Sequence, residues 1–480
     1  MKNRWAALIL SLVGLLNSGT RSHATGFELF FGGPGTQVCS SITTGPDSSV
    51  YMLGYTDNGI IGGTDFMLAK VTINGQLLWT HYFGTPEDDN GVSLLFLPDG
   101  NLLLAGTTND ITLNGQVLLI IADTSGTEIT RYTFGGTETE SVRSVKRCPA
   151  PDNGFLIAGY RTASGTNYSY LLKLDSLFNE EWTGSYGAGI NDYASAAIML
   201  ASGKCFVASD RRINLGGGVF DYDISLIHPD TTGMVEWDSL YHEDFQNGSQ
   251  GIIASQNGHL LIYGETEIAP FSPFDYFIFA TDTLGNLMWR QTFGGVGTNA
   301  LFDLIEDASG DLIGTGYGNS ASNGSSPINL TIVKTDAAGN LLWQREYGYS
   351  GIDIGYCIRE APDGGYLVAG RATTINDEDF YLLKVNDDGL LSSTPDLSHT
   401  ESNFICYPNP AKGLLHFKAP AAITGVKIID VTGRIVFTQQ LSALKNAVVT
   451  LELPALSEGP YLLELNCNGK RAGNSLILLE

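Results

Sequence analysis

Seven polar side chains recur at one place in a spaced series: Gln37, Asp89, Glu140, Asp192, Asn247, Asn299 and Asp353, about fifty-two residues apart. Every one carries a side-chain oxygen, and four are carboxylates. An all-oxygen set suits a hard cation such as calcium, or hydrogen bonding to sugar hydroxyls, provided the fold gathers the seven around a common axis. The competing account is local, because Asp, Asn and related residues cap the backbone amides of turns. No copy has the spaced Asp series and closing Glu of a helix-loop-helix calcium loop, so no cofactor is assigned and calcium stays an option.

Two further groups have types that recognise ligands. Arg211 and Arg212 are conspicuous in an acidic chain and could grip a carboxylate, the alternative being an ion pair with a nearby acid. Phe271 and Phe274, interleaved with Pro270 and Pro273, could stack on a sugar or peptide, or pack over a neighbouring element. The motifs of zinc proteases, nucleophile-elbow hydrolases, nucleotide-binding loops and dithiol oxidoreductases are all missing. A hydrolase or lyase with acids drawn from different repeats stays open, since sequence spacing cannot show such a pair.

The elements that must position these residues are themselves repeated. An aromatic followed by glycine recurs at Phe31-Gly32, Phe83-Gly84, Phe134-Gly135, Tyr186-Gly187, Phe293-Gly294 and Tyr347-Gly348, with Tyr241 in a degenerate copy. Four residues earlier stand Trp79, Trp182, Trp237, Trp289 and Trp343, while Thr130 fills that place in one copy. Turn signals such as Pro98-Asp99-Gly100 and Asp363-Gly364-Gly365 lead into apolar runs, so each copy predicts four short strands. Seven such units without helical spacers predict an all-β, seven-bladed β-propeller over residues 25–392, with both faces of each sheet buried. The seventh copy lacks its Trp strand, and Phe27 lies four residues ahead of Phe31, so the N-terminal strand is expected to complete the last blade. The longer second-to-third connections, Arg211 to Gly218, Thr266 to Asp275 and Asn319 to Ile328, mark the expected binding face.

Composition and charge narrow the partners. With 26 basic and 51 acidic residues the formal charge is −25, and it falls to about −28 without Lys2, Arg4 and Arg21. Such a surface repels nucleic acid and anionic lipid. Residues 1–24 read as a secretory signal: Lys2 and Arg4, an apolar run from Ala6 to Leu16, and Ser22-His23-Ala24 before the expected cleavage. That run is too short to span a membrane, and none longer follows. Six cysteines in so long a chain suggest buried thiols; if any pair is bridged, Cys406 with Cys467 is the expected one. A monomer is expected.

After a linker over residues 393–403 the composition changes. Tyr407-Pro408-Asn409-Pro410, Asp430-Val431-Thr432-Gly433-Arg434 and Gly459-Pro460-Tyr461 punctuate alternating strands over residues 404–480, which read as a small Ig-like β-sandwich. This ordered set resembles the type A C-terminal sorting domain of the Bacteroidetes type IX secretion system, and the repeats resemble the Phe-Gly-Gly and Asp-Gly-Gly propellers that accompany it. The resemblance implies Sec export, passage through the outer membrane by the type IX machinery, and release or anchoring at the surface. One departure is Asn474-Ser475, where a basic residue often precedes the terminal strand. Asp175-Ser176-Leu177, Asp238-Ser239-Leu240 and Asp282-Thr283-Leu284 resemble O-glycosylation sites of exported Bacteroidetes proteins, and for the two that coincide with a hairpin turn, turn chemistry is an equal account. The expected role is noncatalytic recognition of a glycan, peptide or surface partner, with a polysaccharide-active enzyme and a structural or adhesive surface component as the other readings.

Overall fold

The computed structural model describes residues 26–479 except 110–113, 188–190, 217–218, 243–245, 270–271, 295–296, 320–327, 349–350, 374–377, 392–405, 419–422, 431–434, 445–447, 455, 458 and 468–469. The expected signal segment, the linker, Phe271 and Gly433 therefore lie outside the described residues. The chain divides into two compact units, residues 1–393 and 394–480.

The first unit is seven four-stranded antiparallel sheets, each in the strand order of the sequence, apart from the last. Blades 1 to 7 begin with the strands Gln37–Thr44, Asp89–Phe96, Thr139–Arg147, Tyr193–Met199, Asn247–Ala254, Asn299–Glu306 and Ile354–Glu360. These first strands touch their neighbours in an unbroken circuit that returns from blade 7 to blade 1, so they line the axis of a closed ring. Core clusters lie between blades rather than within them. One joins Cys39, Met52 and Met67 of blade 1 to Leu367, Phe380 and Leu382 of blade 7. Sheets buried on both faces explain the unbroken apolar runs in the sequence.

Blade 7 takes its outermost strand from the other end of the propeller. Phe27–Phe31 pairs antiparallel with Glu378–Val385, placing Phe27 opposite Lys384. The same register puts Trp79 opposite Lys70, Trp182 opposite Lys173 and Trp343 opposite Lys334. Around this seam, Phe30 stacks on Tyr381 at 4.7 Å, and the Tyr381 hydroxyl donates to Glu28 at 2.6 Å. The buried Lys384 ammonium donates to Asp363 at 2.6 Å and to the Ile73 carbonyl of blade 1 at 3.3 Å.

Neighbouring blades dock through one recurring contact. The hairpin between the third and fourth strands turns on a left-handed residue, and an aromatic side chain of the preceding blade lies over it. A Cβ on Gly233, Gly339 or Gly389 would meet Trp182, Trp289 or Trp343 within 2.6 to 2.8 Å, and one on Gly75 would meet Phe27 at 2.8 Å. Only glycine combines that φ with that proximity. Tyr186 and Tyr241 add hydroxyl bonds to the carbonyls of Gly233 and Gly285 at 3.1 and 2.8 Å, and Tyr347 bonds Gly389 in the same way. In blade 3 the glycine is replaced by Phe178, at φ 64°. The preceding blade is the one that carries Thr130 in place of Trp, and there Phe178 stacks on Tyr132 at 5.1 Å and on Phe155 at 4.8 Å. The large ring has changed sides of the junction.

Blade 4 corrects one expectation. Residues 211–216 are strand and not loop, because the second and third strands run on as Cys205–Gly216 and Val219–Pro229, with Arg211 paired to Asp223 and Gly216 to Val219. Alternating side chains sustain the ladder into the glycine run, where sequence shows only a turn signal. The Thr266 to Asp275 connection is shorter than expected, since strands reach Glu267 and resume at Phe274. Residues 320–327 of the third connection lie outside the described residues.

Cys39, Cys148, Cys205 and Cys357 are buried and unbridged. Burial pushes the Cys148 thiol up to about 12 and Cys357 to about 11, so neither presents a thiolate near neutrality. The side chains of Cys406 and Cys467 lie outside the described residues.

The second unit is all-β, with seven strands in one hydrogen-bonded order. Its two ladders meet where Ala411 pairs with Leu479, and both send residues into a single core that includes Leu415, Phe417, Val426, Ile428, Leu451 and Leu463. Tyr407, Pro408, Asn409 and Pro410 lie on the strand Cys406–Lys412, and Gly459 opens the strand Gly459–Cys467. The Tyr461 hydroxyl bonds the Ser457 carbonyl at 3.0 Å. Among the described residues of the chain no helix is long and apolar enough to cross a membrane.

Candidate functional site

The seven recurrent polar residues do form a ring, but one set into the junctions between blades. All are at most 3% exposed. Their partners are close at hand: Gln37 accepts from the Gly33 amide at 3.0 Å, Asp89 from the Thr85 hydroxyl at 3.0 Å, and Asp192 from the Arg212 amide at 3.1 Å. Glu140 accepts from Arg161 at 2.9 Å, Asn247 from Thr266 at 2.7 Å and Asp353 from the Thr373 amide at 3.1 Å, while Asn299 donates to the Gly297 carbonyl at 2.7 Å. The glycine after each aromatic makes room for them. A Cβ on Gly32 would stand 2.2 Å from both Gln37 and Asp379, and one on Gly294 would stand 2.0 Å from Asp275 and 2.9 Å from Asn299. The aromatic-Gly signal thus encodes a polar clasp that ties the third strand of one blade to the first strand of the next.

Arg211 is held by Asp238, and the guanidinium of Arg212 lies over the Phe220 ring at 3.7 Å. Arg211 and Asp238 line a cavity of about 270 Å³ with Tyr186, Gly187, Ile227 and Val235 between blades 3 and 4. Phe274, half-buried, opens the third strand of blade 5. Two of these residues touch the clasps through their backbones, the Arg212 amide donating to Asp192 at 3.1 Å and the Phe274 carbonyl accepting from Asn299 at 3.3 Å, while the Arg211 side chain stays with Asp238. Asp175, Asp282 and their neighbours sit in hairpin turns, where Asp175 accepts from the Leu177 and Asn179 amides at 2.8 Å.

What the sequence did not reveal is the wall of the channel itself. Each first strand bulges at one equivalent place, giving Ser40, Val92, Arg143, Ser195, Gln250, Phe302 and Tyr356. A bulge inserts a residue and re-aims its side chain, here on the strands that line the axis. Beside these, at one register of the second strands, stand Tyr55, Thr107, Tyr160, Asp210, Glu265, Tyr317 and Arg371, all half-buried. They lie toward the end at which the second strands leave for the third.

Together these two sets form a polar and aromatic arc on blades 3 to 7. Arg143 lies over Tyr193 at 5.1 Å and Tyr160 at 5.7 Å, with Asp210 at 3.9 Å. Asp210 also accepts from the Ser249 hydroxyl at 2.7 Å, and Glu265 accepts from the Gln250 amide at 3.1 and 3.2 Å. Phe302 packs between Tyr356 at 5.2 Å and Tyr317 at 5.8 Å. Arg371 is paired with Glu378 at 2.7 Å. Further along the first strands, Leu95, Ile198, Ile253 and Ile305 are half-buried against the cores between blades, and Arg359 is bonded to Asp303 at 2.6 Å.

Burial raises the Asp210 carboxyl to about 6, against the Ser249 bonds and Arg143. Burial also raises Glu265 to about 7, with the Asp210 charge adding and the Gln250 bond opposing. Folded-state values above the unfolded ones mean that the native protein holds these protons longer than the unfolded chain between about pH 4 and 7, so stability falls as pH rises through that window. Asp210→Asn is expected to raise stability by about 2 kcal/mol at pH 8 and by little at pH 4. Thermal unfolding across pH checks this; an equal gain at both pH values would contradict it.

Residues 405–478 match the family described as the secretion system C-terminal sorting domain. That domain implies secretion to the cell surface or beyond. No curated protein matches the sequence. Among solved structures, PorZ, an essential bacterial surface component of the type IX secretion system of Porphyromonas gingivalis, is 13% identical with a TM-score of 0.34, covering 91% of this chain. This chain spans only 64% of the PorZ chain. The β-propeller domain of the Trilobed protease from Pyrococcus furiosus is 11% identical with a TM-score of 0.44, over 79% of this chain and 99% of that one. An α-L-arabinanase of Penicillium chrysogenum complexed with arabinobiose is 12% identical with a TM-score of 0.42, over 66% of this chain and 99% of that one.

Proposed function

We propose that this is a type IX secretion cargo of the Bacteroidetes kind, exported with a cleaved signal and sorted by an Ig-like C-terminal domain, whose propeller binds saccharide at the channel mouth without turning it over. The observation that carries the binding role is the arc of half-buried aromatic rings beside charged, hydrogen-bonding groups: Tyr160, Tyr193, Phe302, Tyr317 and Tyr356 with Arg143, Asp210 and Glu265. Aromatic faces pack against the apolar faces of sugar rings, and fixed carboxylate and guanidinium groups bond their hydroxyls. On a glycan array the purified protein should bind a restricted set of saccharides, and Tyr193→Ala should weaken binding at least about tenfold. Binding unchanged by substitutions at the mouth would defeat this assignment.

One observation favours the enzymatic reading. Asp210 and Glu265 occupy equivalent places on adjacent blades and exchange protons near neutrality, as general acids and bases do. Product release from a polysaccharide, lost in Asp210→Asn, would replace binding with catalysis. The sorting role is tested separately: a chain lacking residues 405–478 should stop short of the cell surface, and its arrival there would refute the assignment.

A further inference from the structure

Most clasps between blades share one arrangement. At four junctions the glycine after the aromatic stands between a carboxylate and a carboxamide side chain: Gln116 with Glu140, Asp275 with Asn299, Asn329 with Asp353, and Asp379 with Gln37. The Asn299 to Asp275 bond, 3.1 Å, shows how such a pair is satisfied. The junction of blades 1 and 2 instead opposes two carboxylates, Asp65 and Asp89, both fully buried. Between them lies Gly84, where a Cβ would stand 2.7 Å from Asp65 Oδ1 and 2.7 Å from Asp89 Oδ2.

Each of the two carboxylates has one satisfied oxygen and one without a partner. Asp65 Oδ2 accepts from the Ile61 amide at 2.9 Å and Asp89 Oδ2 from the Thr85 hydroxyl at 3.0 Å, while Oδ1 of both is buried and unbonded. Among the described residues no cationic side chain forms an ion pair with either Asp. Arg131, whose guanidinium feels the Asp89 charge, is bound to Glu128 at 2.6 Å and donates to the Gly84 carbonyl at 3.0 Å. Two neighbouring carboxylates taken out of water without an ion pair carry a desolvation cost that a bound cation would offset.

We propose that the junction of blades 1 and 2 binds one hard divalent cation, calcium, through Asp65 Oδ1 and the Asp89 carboxylate. Calcium accepts irregular sets of oxygen ligands, and the crossover Gly84 to Asp88 supplies carbonyl and hydroxyl oxygens beside the two carboxylates. Among the described residues no group of three or more His, Cys, Asp or Glu gathers as a metal cage, so neutral oxygens and water complete the shell. The cation does at this junction what a carboxamide does at four others: it ties the third strand of one blade to the first strand of the next.

The test uses the purified protein stripped with chelator and titrated with calcium chloride, read by thermal unfolding and by calorimetry. Saturating calcium should raise the melting temperature by at least about 2 °C, with a stoichiometry near one. Asp89→Asn recreates the acid and amide pairing of those four junctions; it should fold, lose the calcium response, and melt no lower than the stripped protein. Asp65→Asn should do the same from the other side, and Asp275→Asn at the junction of blades 5 and 6 should leave the response intact. No calcium response in the unaltered protein, or a response that survives both Asp65→Asn and Asp89→Asn, overturns the assignment.

Discussion

Deleting residues 26–31 is expected to cost the propeller more than about 5 kcal/mol and to make it self-associate. The strand Phe27–Phe31 brings Phe27, Leu29, Phe30 and Phe31 against blade 7 and blade 1, and pairs residues 380–384 of the strand Glu378–Val385. Removing a single well-packed ring from a core costs about 3–5 kcal/mol, and here several apolar side chains and a full ladder go together. The uncovered edge of Glu378–Val385 becomes a template for pairing with another molecule. Phe27→Ala is the graded version: Phe27 is half-buried over Gly75, so a loss of about 2 kcal/mol is expected, whereas Phe27→Trp should be tolerated because five other blades carry Trp at this register. Denaturant unfolding with size-exclusion measurement checks both. A truncated chain as stable and monomeric as the parent would contradict the closure.

The second large effect is a non-additive pair. Phe178→Gly removes the ring that fills the junction of blades 2 and 3 while relieving a left-handed φ of 64°, so the net loss is expected at about 2–3 kcal/mol. Thr130→Trp alone forces a second large ring against Phe178 and should cost about 1–3 kcal/mol. The double substitution rebuilds the Trp-over-Gly contact of the junctions of blades 3 and 4, 5 and 6, and 6 and 7, and should recover most of both losses. A coupling energy of about 2 kcal/mol or more is the expected outcome of the cycle. Simple addition of the two losses would mean that the ring does not change sides as described.

How much of this was legible in the sequence depends on whether the signal is local. The aromatic-Gly pairs, the turns and the Trp positions are short-range chemistry repeated seven times, and they fix the blade count and the closing strand. The missing Trp at Thr130 was visible, but its compensation at Phe178 sits in the next repeat, under a turn that otherwise carries glycine. Asp89 and its counterparts were recognised as a ring with local capping as the competing account, yet only the junction shows partners as varied as the Gly33 amide, Arg161 and Thr266, and Asp65 beside Asp89. Arg143, Gln250, Phe302 and Tyr356 gave no signal because they differ in type from blade to blade; what they share is a bulge, which is a property of pairing register. Arg211 and Arg212 read as a loop because Gly216-Gly217-Gly218 follows, whereas the ladder continues to Gly216.

Everything said of the mouth depends on the ring being shut, since Tyr55 lies on blade 1 and Tyr356 and Arg371 on blade 7, on either side of the seam. Hydrogen exchange read by mass spectrometry on peptides covering residues 27–31 and 378–385 tests this directly. The amides of the two strands should be protected together and exchange only with the global opening of the propeller. Rapid exchange of residues 27–31 while the other outer strands stay protected would show an open ring.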